Sequence, residues 1–216
     1  MVDRVRLVAF DLDGTLLRGE TVCEALARGL GRIERMRELE RATTPQELRA
    51  AREEMARWYA DASAESLTEC LPSLSLAPGV AAGFELLRRH RIRTAIVSIT
   101  WEFAVEWFAR IFGADHFVGT RPCPGGRIEH FWPEDKPGWL ETLARRLAVP
   151  ISQVAAVGDS AGDIVMLNMV GRPYFVGPTL LETLRGRAEH CPGAGIDDLA
   201  RRVVSAAPRR HSVPHQ

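Results

Sequence analysis

Apolar positions along the chain follow two rhythms that take turns. Short apolar runs bounded by polar turns occur at RVRLVAF (4–10), TAIVSI (94–99), HFVGT (116–120), VAAVG (154–158) and YFVG (174–177). Such runs suit strands buried on both faces of a sheet. Between them, apolar residues recur at three- and four-residue spacing over 80–90, 101–112, 137–148, 161–170 and 178–187. That is the period of helices that bury one face. LAPGV (76–80) reads as a loop, and CPGGRIEHFW (123–132) as a turn and hairpin arm. Alternating strands and helices predict an α/β fold, a mostly parallel sheet with helices on both faces.

One segment breaks the alternation. From about Glu20 to Leu71 the chain is rich in Ala, Glu, Leu and Arg at helical spacing, broken near Gly31 and at TTPQE (43–47), where a threonine N-cap precedes proline. This block reads as a small all-helical domain inserted after the first strand. The expected organisation is a core of residues 1–18 and 77–205, a helical domain over 19–76, and a disordered tail at 206–216.

Composition narrows the function classes. The chain has 216 residues, 46% hydrophobic and 26% charged, with 28 basic and 28 acidic side chains and no net charge. No overall field recruits nucleic acid or anionic lipid. The arginine cluster LRRHRIR (87–93) reads as a solvated helix face running into a strand edge. No apolar run is long enough to span a membrane, and Asp3, Arg4 and Arg6 interrupt any leader-like pattern at the N-terminus. Cys23, Cys70, Cys123 and Cys191 are scattered without a C-x-x-C pair, which fits reduced thiols better than a disulfide frame or zinc site. A cytoplasmic monomer or homodimer acting on a small molecule is expected.

In open α/β sheets, ligands bind outside the carboxyl ends of the strands, and there the sequence gathers its chemistry. DLDGT supplies Asp11, Asp13 and Thr15 after the first strand; Ser98 and Thr100 follow the second; GDSAGD supplies Asp159, Ser160 and Asp163 after the fourth. A calcium loop also begins D-x-D, but it needs glycine and glutamate where Leu16 and Val22 stand. Four carboxylates at one edge repel one another unless a divalent cation is present. Oxygen ligands with few fixed groups favour Mg²⁺ shared with a substrate phosphate. Lys136, expected before the helix that feeds the fourth strand and at the cleft edge, is the one lysine among 28 basic residues.

DLDGT, Ser98, Lys136 and GDSAGD together resemble, in order and spacing, the four motifs of the haloacid dehalogenase superfamily, over a span from Val5 to about Val176. The resemblance implies a Rossmann-like core with a helical cap of the C1 type. AFDLDGTLLRGET is most similar to the phosphoserine phosphatase branch, which implies a Mg²⁺-dependent phosphatase of a small phosphorylated metabolite. On that reading Asp11 is the nucleophile and Asp13 the acid and base, oriented by Thr15. Thr15, Ser98, Ile99 and Lys136 surround the phosphate, and Asp11, Asp13 (through its carbonyl), Asp159 and Asp163 hold the metal. Glu20 binds the substrate amine, with Arg49 or Arg52 for its carboxylate. The chain departs from the branch at Ile99 and Thr100, where it normally has Gly-Gly, and at Gly162, where it has Asn. A phosphomutase or phosphotransferase, or a phosphate-binding module without turnover, would share this core. A true dehalogenase would not need Asp13.

Overall fold

The structure, a computed structural model, describes residues 4–123 and 127–205. Strand β1 (Leu7–Phe10) leads into a two-stranded ribbon, β2 (Leu17–Arg18) paired antiparallel with β3 (Ser75–Leu76). Between the ribbon's strands lie helices α1 (Val22–Gly29), α2 (Ile33–Leu39), α3 (Pro45–Ala60) and α4 (Ala64–Glu69). Then follow α5 (Val80–Arg89), β4 (Arg93–Trp101), α6 (Glu102–Phe112), β5 (His116–Pro122), β6 (Ile128–Glu129) and α7 (Asp135–Arg146). The chain continues through β7 (Val154–Gly158), α8 (Ile164–Met169), β8 (Arg172–Phe175), β9 (Glu189–His190) and α9 (Ile196–Ser205).

The main sheet runs β6-β5-β4-β1-β7-β8-β9. Every pairing in it is parallel except that of β5 with β6. Central β1 is buried on both faces, which explains its unbroken apolar run. Val8 and Phe10 join Ile96 and Val157 in the cluster that α5, α6 and α9 cover, while Leu7 and Ala9 face the cluster of α7 and α8. The expected mostly parallel sheet between helical layers is the fold observed.

Local chemistry sets the helix ends. Thr21 with Glu24, and Thr44 with Glu47, form reciprocal capping boxes at the starts of α1 and α3, the second with Pro45 in the first turn. Gly113, at φ 70°, ends α6 in the left-handed region.

One element assignment is corrected, and one helix lies where none was expected. The helix expected over 178–187 is one 3-10 turn, Glu182–Leu184. Its leucines supply helical spacing, but Arg187 donates to the carbonyls of Asn168 and Val170 and lays the segment across the end of α8. The helix instead comes later, as α9, whose Ile196, Leu199, Ala200 and Val203 are buried. Its apolar stripe is diluted by charged neighbours. The turn residues 124–126 of the expected hairpin and the tail 206–216 lie outside the described residues. Among the described residues no helix is long and apolar enough to cross a membrane.

Helix α9 meets α5 at Gly83, where a Cβ would stand 2.7 Å from the Ile196 carbonyl oxygen. Gly83→Ala must push the two helices apart. A loss of about 1–3 kcal/mol is expected, measured as a lower denaturation midpoint in urea with an unchanged slope. An unchanged midpoint would mean that α9 is not seated on α5 in solution.

Candidate active site

Sheet register brings the motifs together. Phe10 is level with Ile96 on one side and Val157 on the other, so the residues after β1, β4 and β7 emerge side by side. The Asp11 amide continues the ladder by donating to the Val157 carbonyl at 3.0 Å. The chain then turns sharply at Gly14, φ +81°, where a Cβ would lie 2.1 Å from an Asp159 carboxylate oxygen. Glycine is what lets this turn pass beneath Asp159.

Asp163 organises the loop after β7. Its Oδ2 accepts from the Asp159 amide at 3.0 Å, the Ser160 amide at 3.2 Å and the Ser160 hydroxyl at 3.3 Å. Its Oδ1 accepts from Lys136 Nζ at 2.7 Å, and the same ammonium donates to Asp11 Oδ1 at 2.8 Å. Lys136 differs from expectation in two ways. It is the second residue of α7 rather than a residue before it, and at 2% exposure it is buried rather than at a cleft edge.

Burial raises the pKa of Asp11 well above the ordinary carboxylate value; Asp163 adds to the rise and Lys136 opposes it. Asp13 is pushed up to about 6 by burial, against the Val22 amide that holds its Oδ1 at 2.8 Å. Burial and then Asp163 raise Asp159, while a hydrogen bond from Thr15 restrains it. Burial works against the charge of Lys136, but Asp11 and Asp163 overcome it and hold its pKa above normal. The site thus carries more negative charge than one ammonium can balance. Asp11, Asp159 and Asp163 each offer an oxygen, all within 4.8 Å of one another. This donor set fits a hard divalent cation.

Thr15, expected to orient Asp13, donates instead to Asp159 Oδ1 at 3.0 Å. The Val22 amide, at the start of α1, takes over the orienting of Asp13. Ser98 is buried and accepts from the Thr100 amide at 3.2 Å, which leaves its hydroxyl hydrogen to donate. Here β4 loses register with β5 between Val97 and Trp101, and Ile99 is 37% exposed at the cavity's edge.

A cavity of about 300 Å³ opens above Asp11. Asp13, Ser98, Ile99, Lys136 and Arg52 reach it; Glu20 and Arg49 do not. Glu20 pairs at the surface with Arg28, and Arg49 lies in a separate groove beside Glu53 and His130. Arg52 is 9% exposed and spans from α3 to the core. It donates to Thr120 Oγ1 at 3.0 Å, the Phe131 carbonyl at 3.1 Å and the Ile99 carbonyl at 3.2 Å. Its guanidinium sits 3.7 Å from the centre of the Trp132 ring. The sequence reading missed the far wall, formed by Cys23, Met36, Met55 and Trp101. In sequence these are ordinary apolar positions of helices and a strand end, so no local signal sets them apart.

Comparison with known proteins finds phosphoserine phosphatases among both the relatives and the structural neighbours. Phosphoserine phosphatase SerB2 of Mycobacterium tuberculosis is 32% identical over 178 residues, which is 77% of this chain but 42% of that protein. Phosphoserine phosphatase of Methanocaldococcus jannaschii is 24% identical over 180 residues, 79% of this chain and 85% of that one. The chain thus spans under half the length of the first relative and most of the second. A solved phosphoserine phosphatase, described as a phospho-aspartyl intermediate analogue, superposes with a TM-score of 0.71 at 21% identity. That superposition covers 93% of this chain and 98% of the other, and shows the same fold. The family model for haloacid dehalogenase-like hydrolases matches residues 8–168, and the chain belongs to that family.

Proposed function

We propose that this protein is a Mg²⁺-dependent phosphatase that hydrolyses a small phosphate monoester through an aspartyl-phosphate intermediate. The observation that carries this reading is the buried Lys136 ammonium, bonded at once to Asp11 and Asp163 beneath a cavity. Residues 19–76 act as a cap on that cavity, since Arg52, Met36 and Met55 from this block line it opposite Asp11.

Asp11 attacks phosphorus with one carboxylate oxygen. As the P–O bond to the leaving group breaks, Asp13 delivers its proton to the departing oxygen. Asp13 then takes a proton from water, which attacks the phosphorus of the aspartyl-phosphate, frees Asp11 and yields inorganic phosphate. A carboxyl pushed up to about 6 suits both duties, because neither protonation state is remote near neutral pH. Ser98 and the Ile99 amide bind phosphoryl oxygens, and Lys136 holds the nucleophile while balancing charge that builds in the transition state. Mg²⁺ would be held by Asp11, Asp159 and the Asp13 carbonyl. Asp163, which offers an oxygen within 4.8 Å of those of Asp11 and Asp159, would bind the ion or its waters while its bonds to Lys136 and the Asp159 amide steady it. The ion supplies positive charge against the phosphoryl oxygens.

Asp11→Asn should leave the fold intact and abolish phosphatase activity, because an amide cannot attack phosphorus. Retention of more than about a hundredth of the wild-type rate on p-nitrophenyl phosphate would argue against covalent catalysis. Beryllium fluoride with Mg²⁺ should raise the melting temperature of the wild-type protein, as any ligand of the folded state does. No shift at saturation would count against the site as drawn.

Lys136 tests the charge arrangement. Lys136→Ala removes the partner of two buried carboxylates, and breaking such a pair costs about 3–5 kcal/mol, so the melting temperature should fall. Lys136→Arg keeps the charge but brings a larger planar group with a fixed fork of donors. It should lose about 100-fold in kcat/KM, the order of one transition-state donor, with a smaller thermal penalty. An arginine enzyme with near wild-type activity would show that compact geometry at this position is unimportant.

A further inference from the structure

Ser98 and Ile99 lie on a bulge. Between the pairs Val97–Val118 and Trp101–Thr120, the three residues from Ser98 to Thr100 stand opposite the single Gly119. Extra residues of this kind re-aim side chains beside a site. A Cβ on Gly119 would lie 2.7 Å from the Thr100 carbonyl oxygen, so glycine lets the bulge rest against β5. The peptide between Ile99 and Thr100 is held at both ends. Its carbonyl oxygen accepts from Arg52 Nη2 at 3.2 Å. It also accepts from the Thr120 hydroxyl at 3.0 Å, the nearer of two carbonyls within reach of that hydroxyl. Its N–H, that of Thr100, donates to Ser98 Oγ at 3.2 Å. With Oγ accepting there, the Ser98 hydroxyl hydrogen must turn toward another acceptor.

Arg52 is a costly residue to use as a simple strut. It is buried, and among the described residues no carboxylate forms an ion pair with it. Burial lowers its pKa to about 10, which leaves it charged at neutral pH. A cation removed from water without an anion is expensive, and neutral acceptors offset only part of that cost. The guanidinium is nonetheless fixed, over the Trp132 ring and by donation to Thr120, Phe131 and Ile99. Its Nε–H and one hydrogen of Nη2 are unspent, so a polar group in the cavity can use them without breaking those bonds.

Resting on the phosphatase reading, we propose that Arg52 is a positioning residue for Ser98. Seated on the Ile99 carbonyl, it sets the Ile99–Thr100 peptide and, through the Thr100 N–H, directs the Ser98 hydroxyl hydrogen at a phosphoryl oxygen. Without it the peptide is free to rotate, Ser98 Oγ loses its donor, and the hydroxyl loses its direction. Because α3 carries Arg52, the helical block acts on the phosphate end without touching the phosphate. The unspent donors leave contact with the substrate open as well, so the two roles coexist.

The test is a double-mutant cycle with Mg²⁺ on phenyl phosphate, whose leaving group has no acid or amine for Arg52 to read. Arg52→Gln should lower kcat about tenfold and change KM less than about threefold, as a donor that is present but misaimed would. In the Ser98→Ala background, itself slowed about 100-fold, the same substitution should cost less than about twofold, because residues acting as one unit are not additive. Thr120→Val, which removes the other donor to the Ile99 carbonyl, should repeat the pattern. Losses of about tenfold in both backgrounds would mean general damage and overturn the inference, leaving the phosphatase reading intact. An unchanged kcat on phenyl phosphate, with losses confined to KM or to phosphoserine, would also overturn it, since Arg52 would then only read the substrate. No hydrolysis by the wild-type protein, together with no thermal shift from beryllium fluoride, would overturn both.

Discussion

Three buried charges hold the centre of this molecule, the Lys136 ammonium lying 2.8 Å from one Asp11 oxygen and 2.7 Å from one Asp163 oxygen. Each belongs to a different element. Asp11 follows β1, Asp163 follows β7, and Lys136 sits in the first turn of α7, on the face of the sheet opposite α5. Removing three charges from water is costly, and a well-packed apolar trio would often be as stable or more so. Stability alone therefore does not account for the arrangement. Its use is geometric, because short charge-assisted bonds fix the orientation of Asp11 before any substrate arrives.

The remaining acids are compensated differently. Asp159 receives a hydroxyl from Thr15 and Asp13 receives an amide from Val22, neutral donors that offset only part of the cost of burial. The Val22 contact also has a mechanical consequence. That amide belongs to the first turn of α1, so the orientation of Asp13 depends on how the helical block sits against the sheet. Arg52 adds a second tie between the block and the core, at the carbonyl next to Ser98. The block is therefore tied to the surroundings of the reacting groups at two points.

Much of this was legible in the sequence, for physical reasons. Central strands buried on both faces write themselves as unbroken apolar runs, so β1, β4 and β7 could be located, and the acids just beyond them placed at one edge. Lys136 stood out because arginine fills the other basic positions. Features set by partners far along the chain were not legible. The Thr15–Asp159 bond spans 144 residues and the contacts of Arg52 span 47 to 79. No local pattern encodes such pairings. For the same reason Glu20 matched a family position by spacing yet found Arg28, eight residues on, as its partner. The exchange of a helix at 178–187 for one at 196–205 has a related origin. Spacing reports which residues are buried, and Leu184 is buried although the segment makes only a 3-10 turn.

The two ends of the cavity obey different constraints, and this bears on how such a site can change its substrate. At the phosphate end each acid is tied by bonds of about 3 Å to a partner on another element, so a substitution there disturbs several groups at once. At the other end Met36 and Met55 contribute only contact, through flexible side chains that can repack. Replacing either alters the shape and polarity offered to the leaving group without touching the Lys136 bonds. Arg52 belongs to neither class. It faces the cavity, yet its hydrogen bonds run to the core, so a change there to alter specificity would also loosen the Ile99 peptide beside Ser98. Specificity is thus easiest to alter at the thioethers and hardest at the arginine.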